Sequence, residues 1–154
     1  MKVVLIWPRL ERDTNFPPLG ILYVAAVLEQ SNHKLLIIDG TIKKEEIEKI
    51  NNFNPDLIGV SITTSLEKNA KESINTLKQH INKPIVIGGV HITALMKDIF
   101  KEFDVAYAIY GEAEYSMRDF CNAFEKNEDL KDIKGLMYKK NNQIILNPSR
   151  EPIQ

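Results

Sequence analysis

Short apolar runs recur along the chain at KVVLIW (2–7), KLLIID (34–39), DLIGVSI (56–62), PIVIGG (84–89) and VAYAIYG (105–111). Each is nearly continuous rather than alternating, the pattern of strands in a parallel sheet covered on both faces. Between them the period changes. Leu66, Ala70, Ile74, Leu77 and Ile81 step by 4, 4, 3 and 4 residues, which lines one apolar stripe along a helix with a charged opposite face. Thr64 and Glu67 stand three apart at its start and predict a capping box. PPLGILYVAAVLEQSN (17–32) is apolar around most of its circumference and predicts a well-buried helix entered through two prolines. IKKEEIEKINNF turns Ile47, Ile50 and Phe53 to one side, with Thr41 as its expected cap. ALMKDIFKEF (94–103) and EYSMRDFCNAF (114–124) complete the set, and Cys121 shares a face with Met117 and Phe124, which makes it a core residue.

Five strands alternating with five helices predict a doubly wound α/β domain around a five-stranded parallel sheet, Rossmann-like or flavodoxin-like, with right-handed crossovers. The tail departs from that rhythm. KGLMYKK and QIILN flank Asn141 and Asn142, a pair suited to a tight hairpin turn, so a C-terminal β-hairpin is expected. The expected division is an α/β domain over 1–128 followed by a hairpin and linker over 129–154.

Composition narrows the function classes. The 154 residues with 44% hydrophobic content suffice for one sizeable core. A formal net charge of −1 gives no electrostatic case for nucleic acid. The single cysteine excludes an internal disulfide, a CxxC redox pair and a cysteine-held iron–sulfur cluster within these residues. No apolar run approaches the roughly 18 residues needed to cross a bilayer, and MKVVLIWP is too short for a signal-peptide core, so a cytoplasmic protein with no membrane partner is expected.

In a doubly wound fold, ligands bind outside the carboxyl ends of the strands. The loops WPRLERDTNFPPLG, DGT, SITTSL, GGVHIT and YGEAEYS therefore hold the candidate chemistry. No GxGxxG follows the first strand and no GxxxxGK[ST] occurs, so dinucleotide and P-loop phosphate cradles are missing. A response-regulator receiver would need acidic residues after the first strand and an aspartate ending the third. A flavodoxin would need a hydroxyl-rich loop where this chain has WPRLERD. Gly88 and Gly89 stand out, because a glycine pair at a strand end costs chain entropy and packs no side chain. Either a ligand approaches that backbone closely or the pair permits a tight strand-to-helix turn.

DLIGVSITTSL, PIVIGGVHIT and YGEAEYS, preceded by PPLGILYVAAVLEQ, together resemble the N-terminal cobalamin-binding domain of cobalamin-dependent radical S-adenosylmethionine enzymes. That group includes anaerobic magnesium-protoporphyrin IX monomethyl ester oxidative cyclase and radical methyltransferases. The resemblance runs from the first strand to about Phe124, and IKGLMYKKNNQIILNPSREPI resembles the hairpin and linker leading into their catalytic barrel. It implies a corrin ring over the carboxyl ends of the strands with its nucleotide tail tucked beside the sheet, in a slot that side chains at Gly88 and Gly89 would fill. It implies contacts from Ser61, Thr63, Thr64 and Ser65, with Ser65 and Leu66 matching a Ser-x-Leu-like element. Gly111, Glu112 and Glu114 match a Gly-Glu-Gly-Glu run in which Ala113 replaces the second glycine. Trp7 and Pro8 either pack at the end of the first strand or offer an aromatic surface to the corrin.

One departure concerns the cobalt. Cobalamin mutases and methionine synthase carry Asp-x-His-x-x-Gly after the first strand, whereas Trp7 to Gly20 contains no histidine here. The expectation is cobalamin bound without a histidine ligand from this domain. His91 is a candidate cofactor contact, with a loop or capping role as its rival, and Glu112 and Glu114 have a rival role as a dipole-favoured helix start. No CxxxCxxC motif occurs, so the [4Fe-4S] cluster and S-adenosylmethionine belong to a separate radical domain that this domain would partner. Two other readings remain open at this point: a cofactor-free interaction or scaffold domain of the same fold, and a small-molecule or phosphate sensor using the SITTS hydroxyls.

Overall fold

The computed structural model describes residues 1–9 and 17–153. Five strands, β1 (Lys2–Trp7), β2 (Lys34–Asp39), β3 (Leu57–Ser61), β4 (Ile85–Gly88) and β5 (Tyr107–Ile109), pair in parallel. Two more, β6 (Leu136–Lys140) and β7 (Gln143–Leu146), continue the same sheet antiparallel, in the order β2-β1-β3-β4-β5-β6-β7. The predicted hairpin is thus part of the sheet rather than an appendage. Asn141 and Asn142, at φ 50° and 61°, form its two-residue turn, the left-handed geometry that asparagine tolerates best after glycine.

Alternation along the strands sorts the core into two layers. Val3 and Leu5 of β1 face α1 (Leu19–Gln30) and α6 (Glu114–Lys126), together with Leu28, Met117, Phe120 and Cys121. Val4 and Ile6 face the other way, onto α2 (Lys44–Phe53), α3 (Glu67–His80), α4 (Val90–Leu95) and α5 (Ile99–Glu102). Both sides of β1, β3, β4 and β5 are therefore largely buried, as their unbroken apolar runs require, while the edge strand β2 buries only Ile38. No helix among the described residues is long and apolar enough to cross a membrane.

Local details differ from expectation where tertiary partners compete. The predicted 94–103 helix starts earlier, directly after Gly89, and breaks at Met96, whose φ of 51° ends α4 before a 3₁₀ turn leads into α5. Thr41 does not cap α2: its hydroxyl donates to the Arg9 carbonyl, while the Glu46 carboxylate accepts the Lys43 amide at 3.1 Å. The Thr64/Glu67 box is replaced by a 3₁₀ turn, Thr64–Leu66, because His91 engages the Thr64 hydroxyl and Lys71 engages Glu67.

His33 is 5% exposed, with the Met1 ammonium 3.2 Å from Nδ1 and the Asn122 side-chain oxygen 3.1 Å from Nε2. Burial first, and the ammonium second, hold its pKa below 6.5. The unfolded chain then binds a proton more readily, so stability should be complete above about pH 6.5 and fall as the pH drops below it. Glu125, whose pKa the same ammonium lowers, acts in a separate, more acidic window. Urea denaturation between pH 7.5 and 5.5 should show this loss, and His33→Gln should flatten it.

Candidate functional site

The two-residue period of the sheet places Leu5, Gly59, Ser61, Val86, Gly88 and Ile109 on the face toward α1 and α6. In register, Leu5 lies beside Gly59, and Ser61 beside Gly88. The missing side chains leave a cleft of about 210 Å³ at the carboxyl end of the sheet, closed by Ile21 and Val24 of α1 and Met117 of α6. Its floor is apolar, and Thr93, Glu112 and Glu114 supply most of its polar groups.

The glycines do different work. A Cβ on Gly59 would stand 2.9 Å from Leu5 Cδ2, so this strand-centre glycine allows the sheet and the cleft wall to meet. A Cβ on Gly88 would meet nothing closer than the Ile109 carbonyl oxygen at 3.7 Å, and would occupy space at the cleft. Gly89 is different: its φ is 112°, and a Cβ would lie 2.5 Å from the Ile62 carbonyl oxygen and 2.9 Å from the Ile62 nitrogen. Gly89 thus makes the tight turn, and Gly88 leaves space at the cleft.

Glu114 Oε2 is buried and has no hydrogen-bond partner among the described residues. An orphaned carboxylate oxygen beside an apolar cleft calls for a donor from whatever enters. Glu112 is exposed and accepts the Ile153 amide at 2.5 Å, while Gly111 donates its amide to Thr93 Oγ1 at 2.9 Å. Ser61, Gly88, Gly89, Gly111, Glu112 and Glu114 are therefore brought together. Trp7, Pro8, Thr63, Thr64, Ser65, Leu66 and His91 do not line this cleft. Trp7 stacks under the Arg9 guanidinium, 5.3 Å from the ring centre, and Pro8 and Leu66 are buried. Thr63 and Ser65 pair their hydroxyls at 3.4 Å at the end of β3, within reach of solvent.

His91 lies among the helices of the opposite face, 5% exposed and edge-on to Phe103. Its Nδ1 meets Thr64 Oγ1 at 3.2 Å, and its Nε2 is 3.5 Å from Glu102 and 4.0 Å from Glu67. Glu67, His91 and Glu102 have the donor types of a metal site, yet the Lys71 ammonium already bonds both carboxylates. Glu67 is held below, and Lys71 above, its ordinary pKa by their mutual hydrogen bond, so this cluster carries its own cation. Sequence reasoning missed Gly59 and the apolar walls Leu5, Ile21, Val24, Val86, Ile109 and Met117. The signal for Gly59 was present: a glycine inside an otherwise apolar strand run.

Residues 9–120 match the B12 binding domain model, and the chain belongs to that family. It is 32% identical to an uncharacterized methyltransferase of Pyrococcus horikoshii, covering 100% of this chain and 36% of that protein. It is 31% identical to the anaerobic magnesium-protoporphyrin IX monomethyl ester cyclase of Synechocystis, covering 84% of this chain and 28% of that protein. The chain thus spans about a third of the length of these relatives. The cobalamin-dependent S-adenosylmethionine radical enzyme OxsB, solved with aqua-cobalamin and S-adenosylmethionine bound, shares the fold with a TM-score of 0.85 at 21% identity over 98% of this chain and 22% of that one.

Gly89→Ala should lower unfolding stability by about 2 kcal/mol, since it combines a positive φ with a backbone clash. Gly88→Ala should stay within about 1 kcal/mol of wild type. Urea titrations of the two variants make the comparison.

Proposed function

We propose that this domain holds cobalamin for a radical S-adenosylmethionine enzyme, with the nucleotide tail in the glycine-lined cleft and the corrin over the strand ends. The observation that carries this is the alignment of Gly59 and Gly88 on one sheet face, which opens an apolar slot for a flat aromatic base. Leu5, Val86, Ile109 and Met117 would bury that base. Ser61 would donate to the tail, and Glu114 Oε2 would accept from an amide or hydroxyl and so lose its orphan status. Thr63 and Ser65, just after β3, would reach the same ligand outside the cleft, while the Thr64 hydroxyl pairs with His91. When bound, cobalamin supplies a cobalt centre able to carry a methyl group or pass an electron.

No histidine lines the cleft, and none occurs between Trp7 and Gly20, which supports binding without a histidine ligand to cobalt from this domain. The region 10–16 of that loop lies outside the described residues. Residues 1–128 would form the cofactor domain, and 129–154 would lead toward a radical domain carrying the [4Fe-4S] cluster and S-adenosylmethionine, in a cytoplasmic setting. The full-length reaction would be methyl transfer or cyclase-like chemistry. A phosphate sensor is less well supported, because residues 9–120 match the B12 binding domain model and the described part of the cleft lining holds two glutamates and no lysine, arginine or histidine. A scaffold role leaves the cleft and its orphaned carboxylate without purpose.

Anaerobic titration with hydroxocobalamin and removal of free cofactor should leave a retained, base-displaced corrinoid spectrum. Gly88→Val should abolish that retention while the far-ultraviolet circular dichroism stays native. A variant that keeps wild-type affinity would contradict the slot. The electron paramagnetic resonance spectrum of the cobalt(II) complex should lack nitrogen superhyperfine splitting, which a histidine or retained base would produce.

A further inference from the structure

The loop between β5 and α6 forms one wall of the cleft through Gly111, Glu112, Ala113 and Glu114. Its cleft side has one fixed backbone bond, from the Gly111 amide to Thr93. Its outer side is held at three points by the segment that follows β7. The Tyr110 hydroxyl donates to the Asn147 carbonyl at 2.7 Å, just before the loop. The Ile153 amide donates to Glu112 Oε2 within it. Arg150 Nε donates to Ser116 Oγ at 3.0 Å just after it, and the same guanidinium pairs with Asp119.

That outer segment is itself anchored. Asn147 is 4% exposed, and its side-chain amide donates to the carbonyls of Leu130 at 2.7 Å and Ile133 at 2.9 Å. The Pro148 carbonyl accepts the Gly135 amide at 2.8 Å, and Gly135 in turn accepts the Tyr110 amide. Ser116, the acceptor for Arg150, is fully buried, so this bond reaches into the body of α6 rather than across its surface. A buried hydroxyl with a cationic donor is a strong local tie.

We propose that residues 147–153 are a clamp that sets the position of the cleft wall, with Arg150 as its positioning residue. The bonds at Tyr110, Glu112 and Ser116 bracket the lining residues Gly111–Glu114, so loosening them frees the wall without unfolding the sheet. Because the segment touches the loop on both sides of the lining residues, whatever seats or displaces it changes the cleft, and a ligand in the cleft changes how firmly it seats. Such coupling is reciprocal by linkage. The ligand side of this inference rests on the cobalamin reading; the clamp does not.

Two measurements on the full chain test it: amide hydrogen exchange without ligand, and hydroxocobalamin titration, each on wild type, Arg150→Ala and Arg150→Lys. Arg150→Ala should speed exchange at residues 111–116 while β1 and β3 keep their protection. It should also weaken hydroxocobalamin binding by about tenfold, the effect of one lost charge-assisted hydrogen bond. Arg150→Lys, which retains a cation beside Asp119, should recover part of both. Unchanged exchange at 111–116 in Arg150→Ala overturns the clamp, and faster exchange with unchanged affinity overturns its hold on the cleft. Wild-type protein that retains no hydroxocobalamin, but shows the exchange pattern, overturns the cobalamin reading and leaves the clamp standing.

Discussion

The backbone contact between Gly89 and Ile62 fixes the geometry on which the rest of this domain depends. The Ile62 amide donates to the Gly88 carbonyl at 2.7 Å, and the His91 amide donates to the Ile62 carbonyl at 3.2 Å. Between those bonds the chain passes so close that no Cβ fits on Gly89. The joint locks the ends of β3 and β4 together and starts α4 within one residue of the strand end. It also decides which side each neighbour faces. Gly88 falls on the cleft face, and His91 on the opposite one, where it ties α4 to the turn before α3.

The two faces of the sheet consequently do different jobs. The face toward α2 to α5 is packed largely by isoleucine, leucine and phenylalanine, and its polar cluster, a buried His91 with the partly exposed Glu67 and Glu102, is closed by the Lys71 cation. The face toward α1 and α6 packs equally well at its amino end but stops short at Gly59 and Gly88. There the floor of the cleft is apolar surface left without a packing partner. A ligand that buries it binds only the folded state and stabilises it by mass action.

Much of this was readable in the sequence, because strands buried on both sides announce themselves by unbroken apolar runs. The five parallel strands, the Asn141-Asn142 turn and the core role of Cys121 all follow from local pattern. What pattern alone could not supply was partnership. Thr41, Thr64 and Glu67 have the right residue types for capping, but each is drawn off by a residue distant in the sequence or by a lysine one turn along. The hairpin pattern gave no sign that β6 would join the sheet beside β5. Of the hydroxyls expected as contacts after β3, the parity of the strand puts only Ser61 into the cleft. The glycines, by contrast, line the cleft at Gly59, Gly88, Gly89 and Gly111, and Gly59 was passed over because a lone strand glycine has several explanations.

Charge then limits how such a cleft can hold anything. Among the described residues its lining contains glutamates and no cationic side chain, so those residues offer an anionic group no attraction. What these residues can contribute to affinity is buried apolar area and oxygens that accept from a ligand's neutral donors. A ligand combining a flat apolar end with a rim of amides suits those walls. On the cobalamin reading, the glycine positions would therefore matter more than any single polar residue. A lost hydrogen bond weakens such a fit, but a side chain inserted at Gly88 removes the volume on which the fit depends.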